Sequence, residues 1–214
     1  MAAPELADQN QGGERPTREI AQRLFAAEYN QSNLEVKEGG ERSPSYVITP
    51  LGAKVNRLFV VGVLTSNENI GAAGDMWRAQ ITDPTGVFNV YAGQYQPEAT
   101  AALAEIRPPA IVAVVGKSRT YSPEPGVTYT SIRPEIVKVV DVSERDRWVL
   151  ETAKHMKQRL ECLRELQAMA TPSADKLVEL GYPRALAESA VKAVQHYGKV
   201  DLQEHVRKLR DALE

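Results

Sequence analysis

The hydrophobic positions of this chain change period once, near Val140, and the change separates a β part from a helical part. Between Asn56 and Val140, apolar residues, many of them β-branched or aromatic, alternate with polar residues within each run. This two-residue period is typical of half-buried strands. After Val140 the apolar residues recur every three or four positions, the period of amphipathic helices. The pattern predicts an α+β chain in which most of the helices follow the sheet.

Five strand-like runs fill the β part, and a helix-like insert at 97–106 lies between the third and the fourth. Gly62 interrupts the first run, and a glycine inside a strand often marks a bulge or bend. The second and third runs flank Asp-Pro-Thr-Gly at 83–86, a turn sequence with proline second and glycine fourth. Three strands, a helix and two strands is the order of an OB-fold, a five-stranded barrel that binds single-stranded nucleic acids. We place this barrel at 56–142, with its first run at 58–64 and its last two at 110–121 and 127–140.

The residues before the barrel divide into a tail, a helix and a connector. Residues 1–15 are rich in Ala, Gln, Gly and acids, which predicts a disordered tail. Within 16–55, an apolar stripe predicts a helix from Pro16 to about Tyr29, followed by a polar connector and a short strand at 46–49. Two roles stay open for this helix: packing on the barrel, or docking a partner subunit.

A long helix is predicted after the barrel, within 143–170. Ser143, with Asp146 three residues on, resembles a capping sequence, and Thr171-Pro172 ends the helix. Its apolar residues follow a heptad-like spacing that needs another helix beside it. Either the C-terminal tail folds back over these residues, or they join a bundle between subunits. The predicted subunit-interface residues are Trp148, Val149, Met156, Leu160, Leu163 and Leu166.

The last segment, 172–214, contains three short helical patterns punctuated by Gly181-Tyr182-Pro183 and by Gly198. In its Leu-Gly-Tyr turn and alanine-rich second helix it resembles a ubiquitin-associated (UBA)-like three-helix domain. That resemblance implies a protein-interaction module and therefore a further protein partner.

Composition excludes several classes of protein. The chain has 26 Lys and Arg against 28 Asp and Glu, a net charge of −2, so it is not a polybasic coat for duplex DNA. Its single cysteine, Cys162, excludes an internal disulfide framework, and its leucine neighbours predict a buried thiol on a helix face. No apolar run approaches membrane-spanning length, and residues 1–15 lack a signal-peptide core. We expect a cytoplasmic protein with no membrane partner.

No pattern of residues predicts catalysis. The three histidines, His155, His196 and His205, all fall on predicted helices and lack carboxylates at metal-ligand spacing. Asp83 is interpreted as an acceptor that caps its own turn, since the barrel offers no obvious second acid to pair with it. We therefore expect a binding protein rather than an enzyme, without a cofactor or metal.

Strand alternation predicts which side chains face outward on the barrel. One face combines cations, which follow phosphates, with tyrosines, which stack on bases. Across 56–140 the chain has seven basic and seven acidic residues, so we expect modest affinity from the barrel alone. The predicted groove residues are Arg78, Tyr91, Lys117, Arg119, Tyr121 and Arg133.

Several blocks in order resemble the archaeal replication protein A (RPA)-associated proteins, which are single-OB proteins. The resemblance covers about 18–156 and is carried by REIAQRLFAAEYN from Arg18, YVITPLGAKVNRLFVVGVL from Tyr46, ITDPTGVFNVYAGQYQPEA from Ile81 and RPPAIVAVVGKSRTY from Arg107. It implies an accessory subunit that works with the large subunit of archaeal RPA in DNA replication and repair. A second small subunit is a further candidate partner.

The barrel is also similar, more distantly, to the middle subunit of eukaryotic RPA. The fourth-strand block of that subunit, Gly-x-x-Arg-Ser/Thr-aromatic, is matched from Gly116 to Tyr121, which implies that Tyr121 stacks on a base. The resemblance also implies that 149–166 joins a bundle between subunits. The family's other stacking aromatic falls near Ala92-Gly93, so Tyr91 or Tyr95 would replace it. The tail does not resemble the winged helix of that subunit.

The expected function is single-stranded DNA binding as an accessory subunit of a heteromeric RPA complex. Three alternatives stay open. The chain could be a pure adaptor whose barrel does not contact nucleic acid, or an OB module that recruits an enzyme through 172–214. It could also bind RNA, because nothing in the sequence distinguishes a site that contacts the 2′-hydroxyl of RNA from a site that binds DNA.

Overall fold

The computed structural model describes residues 19–38, 44–71 and 76–214. The tail predicted at 1–15 lies outside these residues. The strands of the described part are β1 (Leu34–Lys37), β2 (Ser45–Ile48), β3 (Lys54–Val55), β4 (Arg57–Asn69), β5 (Trp77–Asp83), β6 (Gly86–Ala92), β7 (Ala110–Glu124) and β8 (Val127–Val139). Its helices are α1 (Ala26–Tyr29), α2 (Pro97–Glu105), α3 (Val142–Ala168), α4 (Ala174–Glu179), α5 (Arg184–Tyr197) and α6 (Leu202–Asp211).

Strands β4 to β8 close into a five-stranded barrel in the order β4-β5-β6-β8-β7, with α2 inserted between β6 and β7. All neighbours are antiparallel except β6 and β8, which are parallel. The predicted fold class, a five-stranded barrel within an α+β chain, is confirmed. A separate three-stranded sheet, β1-β2-β3, lies before it in the chain.

Strand β4 closes the barrel because its two halves pair with different neighbours. Residues 57–64 pair with β7, and residues 63–69 pair with β5. A side chain at Gly62 would place its Cβ 2.5 Å from the Thr82 carbonyl oxygen, so only glycine allows this close approach. The register shift itself falls between Leu64 and Ser66, slightly beyond the glycine.

The N-terminal segment corrects the predicted helix. In its described part residues 19–25 are not helical, and only Ala26–Tyr29 is helical. Gln22 forms a parallel bridge to Leu58, because its backbone N–H and C=O bond Arg57 and Phe59 at 2.8 and 2.9 Å. Strand β4 therefore satisfies the backbone N–H and C=O of Gln22, which a helix would satisfy internally. The polar connector predicted after this helix likewise contains β1, which pairs with β2.

Asp83 links the barrel to this segment. Its Oδ1 accepts hydrogen bonds from Thr85 N, Thr85 Oγ1 and Gly86 N at 2.7 to 2.9 Å, which confirms the predicted turn-capping role. Its Oδ2 accepts from Ala26 N at 2.7 Å, at the first residue of α1. Burial raises the pKa of the Asp83 carboxyl, although these hydrogen bonds act in the opposite direction.

Helix α3 runs from Val142 to Ala168, against the predicted span of Ser143 to about Met169. The cap differs from the prediction: Asp141 Oδ1 accepts from Glu144 N at 3.0 Å, and Ser143 instead donates to Asp141 at 2.6 Å. Among the described residues, no helix combines the length and apolar character that crossing a membrane requires.

The heptad-like face of α3 is buried inside the chain, and this corrects its assignment to a subunit interface. Helices α4, α5 and α6 and strand β4 pack against α3, so the tail does fold back over it. Trp148, for example, donates from Nε1 to the Phe59 carbonyl at 2.7 Å and meets the Phe25 ring edge-on at 5.7 Å. A partner could use this face only if those elements left it. The six residues, Trp148, Val149, Met156, Leu160, Leu163 and Leu166, are each at most 9% exposed.

The three C-terminal helices lie where the pattern predicts them, but they are not a separate domain. Their apolar residues belong to the same core as the barrel and α3. Ser189 on α5 donates from Oγ to the Gly52 carbonyl at 2.6 Å. The Tyr197 hydroxyl donates to the Ile48 carbonyl at 2.7 Å and accepts from Asn33 and Leu34 N–H at 2.9 and 3.0 Å. These contacts fix α5 against the small sheet.

Candidate nucleic-acid interface

The antiparallel hairpin of β7 and β8 carries three cross-strand pairs on one face. Lys117 lies opposite Arg133, Arg119 opposite Ser131, and Tyr121 opposite Tyr129. Because side chains alternate along a strand, all six point to the same side. Tyr121 and Tyr129 are 66% and 61% exposed, so their rings are open to solvent. The hairpin thus presents cations at one end and a tyrosine pair at the other.

A groove beside this face is formed by β6 and the loop that follows it. It consists of two adjoining cavities of about 370 and 350 Å³, which share Tyr95, Gln96, Arg119 and Arg133. The first also contains Tyr91, and the second contains Lys117. The Arg133 guanidinium lies 5.8 Å from the centre of the Tyr95 ring, within the range of a cation–π contact. We call these cavities, together with the Tyr121–Tyr129 pair, the binding groove.

Three cations of the binding groove, Lys117, Arg119 and Arg133, have no ion-pair partner among the residues that the structure describes. Arg57, just outside it, is held by Glu135. An unpaired cation offers its full charge to an anionic ligand, whereas a paired one must first give up its carboxylate. Within 56–140, two other cations, Arg107 and Lys138, also lack an ion-pair partner among the described residues, so the groove holds three of five such cations.

Arg78 is placed less favourably than its sequence position suggests. It lies opposite Tyr91 on the neighbouring strand, near the groove as predicted. Its Nε donates to Glu68 Oε1 at 2.8 Å, and one terminal nitrogen bonds the same oxygen. Arg78 is thus at the groove's edge with its charge already partnered.

The structure brings Tyr91, Tyr95, Lys117, Arg119 and Arg133 together in the cavities and places Tyr121 on the adjoining hairpin face. Tyr129 was missing from the predicted set, although alternation put it on the same face as Arg133. Its pairing with Tyr121 depends on the register fixed by the turn between Glu124 and Val127, which periodicity does not specify. Phe88 on β6 is fully buried and takes no part in this face.

The histidines and the cysteine lie outside the groove, on the helices after the barrel. His205 is 4% exposed on α6, where burial lowers its pKa, and His196 Nε2 lies 2.9 Å from Asn33 Oδ1. Cys162 is fully buried on α3, as predicted, and burial raises the pKa of its thiol to about 11. Within the described ranges no three His, Cys, Asp or Glu side chains are grouped so that they could hold a metal ion.

The barrel and its helices define this chain as an OB-fold protein. Neither a protein-family model nor a curated protein sequence matches it. Among solved structures it is similar to a chain of the Stn1–Ten1 complex of S. pombe, with a TM-score of 0.52 and 11% identity over 65% of this chain and 93% of that one.

A chain of a replication protein A heterotrimer bound to ssDNA matches with a TM-score of 0.48 and 18% identity, over 66% of this chain and 98% of that one. The mitochondrial single-stranded DNA binding protein Rim1 of S. cerevisiae matches with a TM-score of 0.34 and 18% identity, over 41% of this chain and 95% of that one. At these identities the likeness shows the fold alone.

Proposed function

We propose that this protein binds single-stranded nucleic acid in the binding groove, as a subunit of a heteromeric complex. The observation that carries the proposal is the alignment of three unpaired cations with exposed tyrosines along one face of the β7–β8 hairpin. Cations that follow the backbone and aromatic rings that stack on bases are the two elements that single-strand binding requires.

The expected division of labour follows from the geometry. Lys117, Arg119 and Arg133 contact phosphates, and the exposed rings of Tyr95, Tyr121 and Tyr129 offer stacking surfaces. Each stacked base contributes about 1–3 kcal/mol. Duplex DNA suits this groove poorly, because the bases of a duplex are already stacked and the chain's net charge is −2.

The more specific proposal is an accessory subunit of an archaeal RPA complex that acts on single-stranded DNA in replication and repair. The resemblance of 18–156 to RPA-associated proteins supports it, and the OB-fold is consistent with it. In this proposal the large RPA subunit, and a second small subunit if one is present, bind a surface other than the buried face of α3. Any further partner of 172–214 likewise binds an exposed side of α4, α5 or α6.

The test is binding of a fluorescently labelled oligothymidine, followed by polarisation. The variant K117Q/R119Q/R133Q is expected to lose binding, and Tyr121→Ala to weaken it by about 1–3 kcal/mol. The matched control is K176Q/R207Q/R210Q, which removes the same charge from exposed positions on α4 and α6. None of these three residues lines the binding groove, so this control should bind nearly as wild type does.

One alternative has a specific observation in its favour. Arg57 and Arg78 are both held by carboxylates of the barrel, which limits its attraction for nucleic acid and suits a pure adaptor. If wild-type protein fails to bind the oligothymidine, alone and with the large subunit, the adaptor replaces our proposal. Equal losses in the groove variant and its control would also count against the groove.

A further inference from the structure

The tyrosine end of the β7–β8 hairpin extends beyond the barrel wall. Pairing of β7 with β4 ends at Lys117, and β8 pairs with β6 only between Ile132 and Val90. Within the described ranges, residues 119–131 therefore pair with no strand outside the hairpin. An isolated two-stranded hairpin is only marginally stable in water, so this part needs support from elsewhere.

That support comes from the segment just before the barrel, against the back of the hairpin. The Tyr29 hydroxyl lies 2.8 Å from Ser118 Oγ and donates to the Ser131 carbonyl at 2.7 Å. Thr130 Oγ1 donates to Asn30 Oδ1 at 3.3 Å, and Thr120 Oγ1 donates to Glu35 Oε2 at 3.0 Å. We call Tyr29, Asn30 and Glu35 the N-terminal brace.

The brace is itself anchored away from the hairpin. Asn30 Nδ2 donates to the Val87 carbonyl on β6 at 2.8 Å. Glu35 also accepts a hydrogen bond from Ser45 on β2. The Tyr29 ring is 1% exposed and packs against Phe88 in the barrel core, with ring centres 6.1 Å apart. The hairpin is thus tied to the barrel and to the small sheet.

The bonded residues alternate with the binding residues along the strands. Thr120 lies between Arg119 and Tyr121, and Thr130 lies between Tyr129 and Ser131, with successive side chains on opposite faces. A hydrogen bond to either threonine on the back therefore fixes the backbone that carries the side chains on the front.

We propose that the N-terminal brace positions the hairpin for nucleic-acid binding, so that Tyr29, Asn30 and Glu35 are positioning residues that do not touch the ligand. This inference rests on the proposed function of the groove. A hairpin already fixed in its binding conformation loses less conformational freedom when the ligand binds, so the brace raises affinity without adding a contact.

The test compares two nearly isosteric substitutions on the same hairpin. Thr120→Val removes the bond to Glu35, whereas Thr128→Val removes only a bond within the hairpin, between Thr128 Oγ1 and Ser122 Oγ at 3.1 Å. Thr120→Val should weaken oligothymidine binding roughly three- to tenfold, the factor that one hydrogen bond typically contributes. Thr128→Val should leave the affinity within about twofold of wild type, less than a typical hydrogen bond contributes.

Two further readouts separate positioning from a lost contact or a general loss of stability. The dependence of affinity on salt should be unchanged in Thr120→Val, since no cation is removed. Amide hydrogen exchange should be faster at 119–131 in Thr120→Val than in wild type, while exchange in α3 stays the same. Tyr29→Phe, which removes two bonds of the brace, should weaken binding and speed exchange at 119–131 more than Thr120→Val does, again without changing the salt dependence.

The results distinguish the inference from the function on which it rests. If wild type binds and Thr120→Val binds equally well, the brace has no positioning role and the proposed function stands. If Thr120→Val lowers the salt dependence, or speeds exchange throughout the chain, the brace acts by another route and the inference is wrong. If wild type does not bind, the proposed function fails and the positioning role fails with it.

Discussion

Glu28 and Arg159, 131 residues apart in the chain, form a buried ion pair between α1 and α3. Arg159 donates from Nε and one terminal nitrogen to the two Glu28 oxygens, at 3.1 and 2.6 Å. Thr49 Oγ1 adds a third hydrogen bond to Glu28 at 2.7 Å. The Glu28 side chain is inaccessible to solvent and that of Arg159 is 7% exposed. The pair joins the N-terminal segment, the small sheet and the long helix at one point.

Removing one member of this pair should destabilise the fold strongly. In Arg159→Met the Glu28 carboxylate stays buried without its counter-charge, which costs about 3–5 kcal/mol. The measurement is the free energy of unfolding from denaturant titration. Arg184→Met, which breaks exposed pairs with Asp175 and Glu188, is the control and should change stability by less than about 1 kcal/mol. Similar losses in the two variants would contradict the structural role given to the buried pair.

Asp83 should not tolerate asparagine, although the two side chains have nearly the same shape. All four of its hydrogen-bond partners are donors: three backbone N–H groups and the Thr85 hydroxyl. An amide has only one oxygen, so in Asp83→Asn its NH₂ group must face either Ala26 N–H or the turn. We expect a loss of about 1–3 kcal/mol, the cost of a buried donor left unsatisfied. Denaturant titration measures this loss of stability. A variant as stable as wild type would show that one carboxylate oxygen of Asp83 is enough.

Gly52 and Gly181 allow a comparison of backbone strain with steric conflict. Both have positive φ, +82° and +95°, so alanine is strained at either position. At Gly52 a Cβ would also lie 2.9 Å from Ala190 Cα, whereas at Gly181 nothing lies within 4 Å. Gly181→Ala should cost about 1 kcal/mol and Gly52→Ala about 1–3 kcal/mol more. Stability is measured by thermal or denaturant unfolding. Equal losses of stability in the two variants would show that α5 can shift away from Gly52 at no cost.

Cys162 should react only when the protein opens. Its thiol is fully buried and its pKa is raised to about 11, so near pH 8 it is protonated as well as shielded. A thiol reagent should modify the denatured chain quickly and the native chain slowly. Fast labelling of native protein would contradict this placement.

The same raised pKa has a consequence for stability. Because the folded state disfavours the thiolate, stability should fall as the pH rises from 9 towards 11. Other groups titrate in this range, so the comparison is with Cys162→Ala. Between pH 9 and 11 the unfolding free energy of wild type should fall relative to that of Cys162→Ala.

The groove makes a quantitative prediction about salt. If the three unpaired cations each contact one phosphate of a single strand, the plot of log Kobs against log salt concentration has a slope of about −2. Arg119→Gln should reduce the slope by about 0.7, whereas Tyr121→Ala should lower affinity without changing it. Binding titrations at several salt concentrations measure both. A steep slope that Arg119→Gln leaves unchanged would place the phosphate contacts elsewhere.

The barrel was predictable because its signals are local. Alternation along five runs, the turn at 83–86 and the insert before β7 each depend on neighbouring residues. The exposed face of β7 and β8 followed from the same alternation, and the predicted residues Lys117, Arg119, Tyr121 and Arg133 lie on it. The predicted helix before Tyr29 was wrong because an apolar stripe does not specify helix: Leu24 and Phe25 are buried in a non-helical segment that bonds β4 at Gln22.

The heptad-like spacing of α3 shows the limit of local signals most directly. The heptad-like spacing predicts that another element covers Trp148 and Leu163. The spacing does not indicate whether that element belongs to a partner or to the chain's own tail.

The sequence by itself determined the order of strands and helices from β4 onward, the faces of the barrel and the burial of Cys162, because periodicity and turn chemistry act over a few residues. Only the tertiary structure decided what covers α3 and that Glu28 forms an ion pair with Arg159. It also decided that Glu68 forms an ion pair with Arg78, and that the N-terminal brace bonds the back of the hairpin. These outcomes depend on contacts between residues tens to more than a hundred positions apart or on the register of neighbouring strands. No local pattern specifies such contacts, since they form only when the whole chain is folded.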